Sequence, residues 1–161
     1  MKVAELFPVR HIRIDEIYQS RKRVLEVLSG LLADDELGGQ NATAMFEALI
    51  ARERLGCTAI GHGIAIPHGR VGDVITPRGA IVRLREGVDF SAPDGEPVDL
   101  IIGLIIPEDC HDQHLEVLGH LARHLSDPDE RALIMEAQSV ERVQSIVVDW
   151  LKPIELKATS S

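Results

Sequence analysis

Between Val98 and Pro107 the chain reads "VDLIIGLIIP", an almost unbroken apolar run in which Asp99 and Gly103 are the only interruptions before the proline. A strand with one wet face alternates, so a run like this marks a central strand covered on both faces. Asp94-Gly95 supplies a turn just before it. Two further strands are expected at Ile64 to Ile66 and, as "AIVRL", from Ala80 to Leu84. A sheet buried on both sides needs a helix layer on each side, and the helical patterns lie at both ends of the chain. The predicted class is therefore α/β, a mixed β-sheet flanked by α-helices on both sides.

The helix signals are local and specific. Ser20 is placed to cap a helix with Val24, Leu25, Leu28, Leu31 and Leu32 on one face. Asn41 is placed to cap a second, with Met45, Phe46, Leu49 and Ile50 inward and Gly56 as its stop. In "DPDERALIMEAQ", Asp127 is the expected cap, Pro128 takes the first helical position and Glu130 completes a capping box. Ser139 opens a last helix with Val140, Val143, Val147 and Trp150 in a stripe. Another amphipathic helix follows His111, with Leu115, Leu118, Leu121 and Leu125 as its buried stripe and His120 and His124 facing solvent. The first few residues and the polar tail after Pro153 are expected to lack structure. The 161 residues then form one domain, 1–161, with an ordered core of about 10–152 and a flexible C-terminal tail.

Charge and cysteine content narrow the function. A net charge of −9 disfavours binding to nucleic acid or to an anionic membrane. Cys57 and Cys110 form no CxxC pair, and no stretch approaches the ~20 apolar residues of a membrane span. A cytoplasmic protein is expected, without membrane insertion.

The candidate chemistry lies in "AIGHGIAIPHGRVGD", Ala59 to Asp73. Pro67 lacks a ladder donor and Gly69 tolerates unusual backbone angles, so His68 is expected to leave the sheet at a strand end, within reach of a ligand. Imidazole titrates near pH ~6.5, which keeps a neutral, nucleophilic form abundant. The alternative for His68 is a turn histidine that binds a carbonyl. His62 shares its face in an extended chain but lies between two glycines, as a peripheral polar residue would. His114 falls on the buried side of its helix, at the start, where it is either a satisfied core histidine or a donor at the mouth of the sheet. His11 has no readable context.

"HDQH" has two histidines at i,i+3 but no neighbouring ligand set, which leaves a metal-dependent hydrolase using His62, His68, His111 or His114 as a rival and no assigned metal. "GHGIAI" has Ile66 where a dinucleotide fingerprint needs its third glycine, no Walker loop or GxSxG elbow occurs, and nothing pairs Cys57 with a base.

Taken in order, "ARERLGCTAIG", "GIAIPHGR", "PVDLIIGLIIP" and "HLEVLGHLARHL" resemble the type-2 enzyme IIA domains of the bacterial phosphoenolpyruvate-dependent phosphotransferase system, the fructose/mannitol class. The similarity runs from about Ile17 to Trp150, and a free-standing domain without IIB or IIC parts is most similar to the nitrogen-regulatory branch. The resemblance implies a regulatory phosphocarrier whose "IPHG" histidine, here His68, accepts a phosphoryl group on Nε2 from a phosphorylated HPr-like protein. It implies a phosphohistidine intermediate rather than a turnover enzyme, with no cofactor. It matches His114 to the histidine beside the phosphate and Arg52, of the "RE" pair, to an arginine near it, the alternative for Arg52 being a solvated helix end. The implied partners are the HPr-like donor and regulatory targets; the alternative is a sugar-specific enzyme IIA that passes phosphate to a IIB domain. The sequence leaves a homodimer open. Ile64, Ile66 and Val71 are candidates for a collar around His68 that the donor docks on, with core burial the favoured role for Ile64 and Ile66. His62 stands where relatives often have another polar residue such as Asn, and Cys110-His111 is outside the pattern.

Overall fold

The computed structural model describes residues 2–34, 42–109 and 111–154, with the side chains of 111, 113 and 114 outside the description. The expected Asn41 cap, Cys110 and the tail from 155 onward also lie outside it. In chain order the elements are α1 (Val3–Leu6), a 3₁₀ turn (Val9–His11), β1 (Ile12–Glu16), α2 (Arg21–Leu32), α3 (Ala42–Leu55), β2 (Ala59–Gly61), β3 (Ile64–Ala65) and β4 (His68–Arg70). β5 (Arg78–Val88), β6 (Val98–Ile106), α4 (His111–Ser126), α5 (Pro128–Glu136) and α6 (Val140–Leu151) follow.

Among the described residues the strands form one mixed sheet in the order β1-β5-β6-β3-β2, with β4 joining β6 beyond β3. β6 is the central strand that its composition required. Leu100, Ile102 and Leu104 enter one core with α4, α5 and α6, whereas Ile101 and Ile105 enter the other with α2 and α3. The side chains of successive residues alternate between faces, and both faces are covered, so almost every position must be apolar.

β6 also sets the line of the functional edge. Ile64 pairs with Leu100 and Ala65 with Ile101; past Pro67, His68 pairs with Leu104 and Gly69 with Ile105, in the same parallel register. Pro67 cannot donate, but its carbonyl accepts from Leu104 N at 3.0 Å. The proline therefore interrupts the strand without shifting it. His68 opens β4 rather than closing the preceding strand, and Ile66 lies outside β3.

Caps behave largely as expected. Ser20 accepts from Arg23 N, Ser139 from Arg142 N, and Asp127 from the amides of Asp129 and Glu130. Glu130, expected to complete a box, instead pairs with His124 Nδ1. That histidine is half-buried and stacked on Trp150 at 5.2 Å between ring centres, not solvated. In α4 the buried stripe runs through Val117, Leu121 and Leu125, with Leu118 half-buried, while Leu115 is 67% exposed. Three strands escaped the sequence reading, β1, β2 and β4, each of five residues or fewer.

The largest correction is at the N-terminus. Leu6 and Phe7 are fully buried. Phe7 lies flat on β5 at Gly79, where an added Cβ would come within 2.4 Å of its ring, so only glycine admits it. Its carbonyl accepts from Gln144 Nε2 of α6 at 2.9 Å. Replacing Phe7 with Ala is accordingly expected to reduce stability by about 3–5 kcal/mol, the usual range for a buried phenylalanine. Urea unfolding checks this, since a loose N-terminal tail would leave the midpoint unchanged.

Candidate functional site

The site begins with a close approach. An added Cβ at Gly69 would lie 3.1 Å from the Cβ and backbone of Ala48, so α3 packs on β4 at a distance that suits glycine. One helical turn after Ala48, that contact sets Arg52 beside the first residue of β4. Arg52 Nε donates to His68 Nε2 at 3.2 Å, and its Nη1 donates to Gly56 O at 2.8 Å, which holds the guanidinium in place.

These contacts specify the imidazole. Guanidinium is always a donor, so Nε2 must offer its lone pair. Nδ1 lies 2.8 Å from Ile66 O, which only accepts, so Nδ1 carries the proton. The tautomer assigned from these partners leaves Nε2 as the nucleophilic atom. The half-buried ring has its pKa lowered from the usual histidine value chiefly by burial, with the positive charges of Arg52 and Arg70 acting the same way. The Ile66 carbonyl and the charge of Glu53 oppose that shift. At neutral pH the ring is held uncharged, with its Nε2 lone pair accepting from a cation tethered at Gly56.

Around the ring is a shallow hollow of about 480 Å³ lined by Ala48, Ala51, Arg52, Leu55, His68 and Arg70. Arg70 and Leu55 were missed at the sequence level. Arg70 is two residues after His68, so the two share a face of β4; the signal was present but unreadable without the strand. Leu55, 84% exposed, is three residues after Arg52 on α3 and supplies an apolar rim. Of the collar candidates, Ile64 and Ile66 take the favoured core role, and Val71 is half-buried.

The other histidines are placed as follows. Parallel register puts His68 on the Leu104 face, which is the face covered by α4 to α6. His114 is in the first turn of α4, and its side chain lies outside the described residues. His62 occupies the β2–β3 turn with φ 58°, exposed, its backbone N–H donated to Asp94 Oδ2 at 2.9 Å. Cys57 Sγ donates to Phe90 O at 2.8 Å. Among the described residues no three histidine, cysteine or carboxylate side chains gather as a metal site, and no helix is long and apolar enough to cross a membrane.

Comparison with known proteins gives a consistent grouping. Residues 5–149 match the family model described as "Phosphoenolpyruvate-dependent sugar phosphotransferase system, EIIA 2". A nitrogen regulatory protein of Pseudomonas aeruginosa is 45% identical over 130 residues, covering 81% of this chain and 84% of that one. A fructose-specific EIIA component of Haloferax volcanii is 31% identical over 147 residues, 91% of this chain and 95% of that one. The crystal structure of the nitrogen regulatory protein IIA-Ntr from Neisseria meningitidis superposes with a TM-score of 0.85 at 43% identity, covering 90% of this chain and 98% of that chain.

Two outcomes are expected from this geometry. NMR titration should put the His68 midpoint below about 6.5, and Arg52→Ala should move it upward. Because the folded pKa is depressed, the stability His68 contributes is present above the unfolded value and lost as pH falls through the folded midpoint. Gly69→Ala should push α3 from β4 and weaken the Arg52 contact, read as an upward shift of the same midpoint; an unmoved midpoint would show that Ala48 yields locally.

Proposed function

The chain belongs to the EIIA 2 family of the phosphoenolpyruvate-dependent sugar phosphotransferase system, and from that premise we propose that it is a regulatory phosphocarrier with His68 as its phosphoryl acceptor. The observation that carries this reading is the pair of contacts on one imidazole, Nδ1 to Ile66 O at 2.8 Å and Nε2 to Arg52 Nε at 3.2 Å.

In the proposed step a phosphohistidine of an HPr-like donor presents its phosphorus to the hollow. The His68 Nε2 lone pair forms the new N–P bond as the donor's N–P bond breaks, and that electron pair returns to the donor nitrogen. The His68 Nδ1 proton stays in place, bound to Ile66 O, and the ring takes up the positive charge that the donor ring gives up. Arg52 must turn from the lone pair to the phosphoryl oxygens, a short movement for a side chain already tethered at Gly56. Arg70 provides a second cation at the same rim. Such transfer depends on positioning and charge compensation, not on covalent machinery in the protein. His114, at the start of α4, is assigned as a further donor to the bound phosphate, aided by the free amides and dipole of a helix N-terminus. Leu55 gives the donor an apolar contact that sheds water from the transfer path.

The regulatory branch is favoured over a sugar-specific carrier because the similarity is higher to the nitrogen regulatory relative, at 45%, than to the fructose-specific one, at 31%. Mixing the phosphorylated chain with candidate IIB domains separates the two: rapid onward transfer to one of them would overturn the regulatory assignment.

Incubation with phosphoenolpyruvate, enzyme I and an HPr homologue should yield one acid-labile phosphate, mapped to His68. His68→Ala should abolish it with the circular dichroism spectrum retained, since the ring is half-buried at a sheet edge. Arg52→Ala should slow labelling by roughly tenfold to a hundredfold, the range for losing a hydrogen bond to a charged group. His114→Ala should shorten the phosphate's lifetime while leaving the acceptor in place. Full labelling of His68→Ala would refute the assignment.

A further inference from the structure

Glu53 follows Arg52 on α3 and is 8% exposed. A carboxylate removed from water needs partners, or its burial is strongly unfavourable. Its Oε1 accepts from the Thr58 hydroxyl, itself buried. Among the described residues its Oε2 has no hydrogen bond; the nearest charge is Arg21 Nη1 of α2 at 3.5 Å. Tying the end of α3 to the start of β2 would need only a neutral acceptor; the charge adds the ion pair to Arg21 and a field at the imidazole.

Hydrogen bonds lead from this carboxylate to the imidazole. Thr58 O accepts from Ile66 N at 3.0 Å, and Ile66 O accepts from His68 Nδ1 at 2.8 Å. Glu53 thus fixes Thr58, Thr58 fixes the Ile66 backbone, and Ile66 fixes the tilt of the ring. We propose that Glu53 is a positioning residue for the phosphoryl-accepting histidine: it anchors the Thr58–Ile66 support of the imidazole and supplies the negative field that favours the ring's positive charge during transfer. This rests on the reading of His68 as acceptor. The field acts through space, because the two hydrogen bonds at Ile66 belong to different peptide groups.

Two observations outside that chain of contacts agree. Of the charges described around His68, Arg52 and Glu53 come from α3 and Arg70 from β4, and Glu53 favours a charged ring, against burial and both arginines. Arg52 contacts the ring at Nε2, while the Glu53–Thr58 link reaches Nδ1 through Ile66. The site is thereby divided into a side that accepts the phosphoryl group and a side that supports the ring left behind.

The test uses the full chain and three variants, Glu53→Gln, Thr58→Val and Thr58→Ser, with two readouts: the NMR titration midpoint of His68 and the rate of labelling from the phosphorylated HPr homologue. Glu53→Gln should lower the midpoint and slow labelling about threefold to tenfold, the effect of losing one net hydrogen-bonded contact. Thr58→Val should act in the same direction, and Thr58→Ser, which keeps the hydroxyl, should restore both. A purely structural role would lower thermal stability without moving the midpoint. Unchanged midpoint and rate in Glu53→Gln would overturn the proposal; should the glutamine variant fail to fold, the same two readouts unchanged in Thr58→Val would overturn it equally. A parent chain that takes no phosphate on His68 would instead refute the functional reading, and the midpoint shift would still decide whether Glu53 acts on the ring.

Discussion

The parallel ladder between β6 and the β3–β4 edge is the constraint on which the remaining structure rests. It holds one register from Ile64 to Arg70 across a proline that cannot donate, because the Pro67 carbonyl still accepts from Leu104. Had the register slipped by one residue, every side chain of β4 would have changed face. His68 would then have met α3 where Gly69 now does, and no ring could fit there.

The same ladder explains how an imidazole can be fixed without being deeply buried. Among the described residues β4 pairs only with β6, and α3 packs on it at Gly69. Ile66 O holds one ring nitrogen and Arg52 the other. The backbone supplies the acceptor, the helix supplies the cation, and the tautomer follows from the difference between them. Half-burial keeps the ring neutral by desolvation while leaving a hollow for a visiting group.

How much of this was legible in the sequence depended on the length of each signal. The apolar run of β6 and the caps at Ser20, Asp127 and Ser139 could be read because they depend on local chemistry. His68 and Arg52 could be paired through the ordered motifs, although their residue types alone left a carbonyl-binding histidine and a solvated arginine open. In the structure His68 does bind a carbonyl, and that contact is what sets its tautomer. β2 and β4 are three residues each, too short to show a period, and so Arg70 went unrecognised. Leu115 fits a helical stripe yet is exposed, because α4 turns Val117, Leu121 and Leu125 to the core. His11 could not be read at all: its ring lies between Gly79 O and the Asp34 carboxylate, 68 and 23 residues away.

The bond from Gln144 to the Phe7 carbonyl spans 137 residues. Phe7 also rests on β5, so the segment before β1 waits for strands and a helix made much later. Contacts of such long sequence separation slow the search for the native state. While α6 is still inside the ribosome, the aromatic plug has only half its seat, and the domain can close only once α6 has emerged.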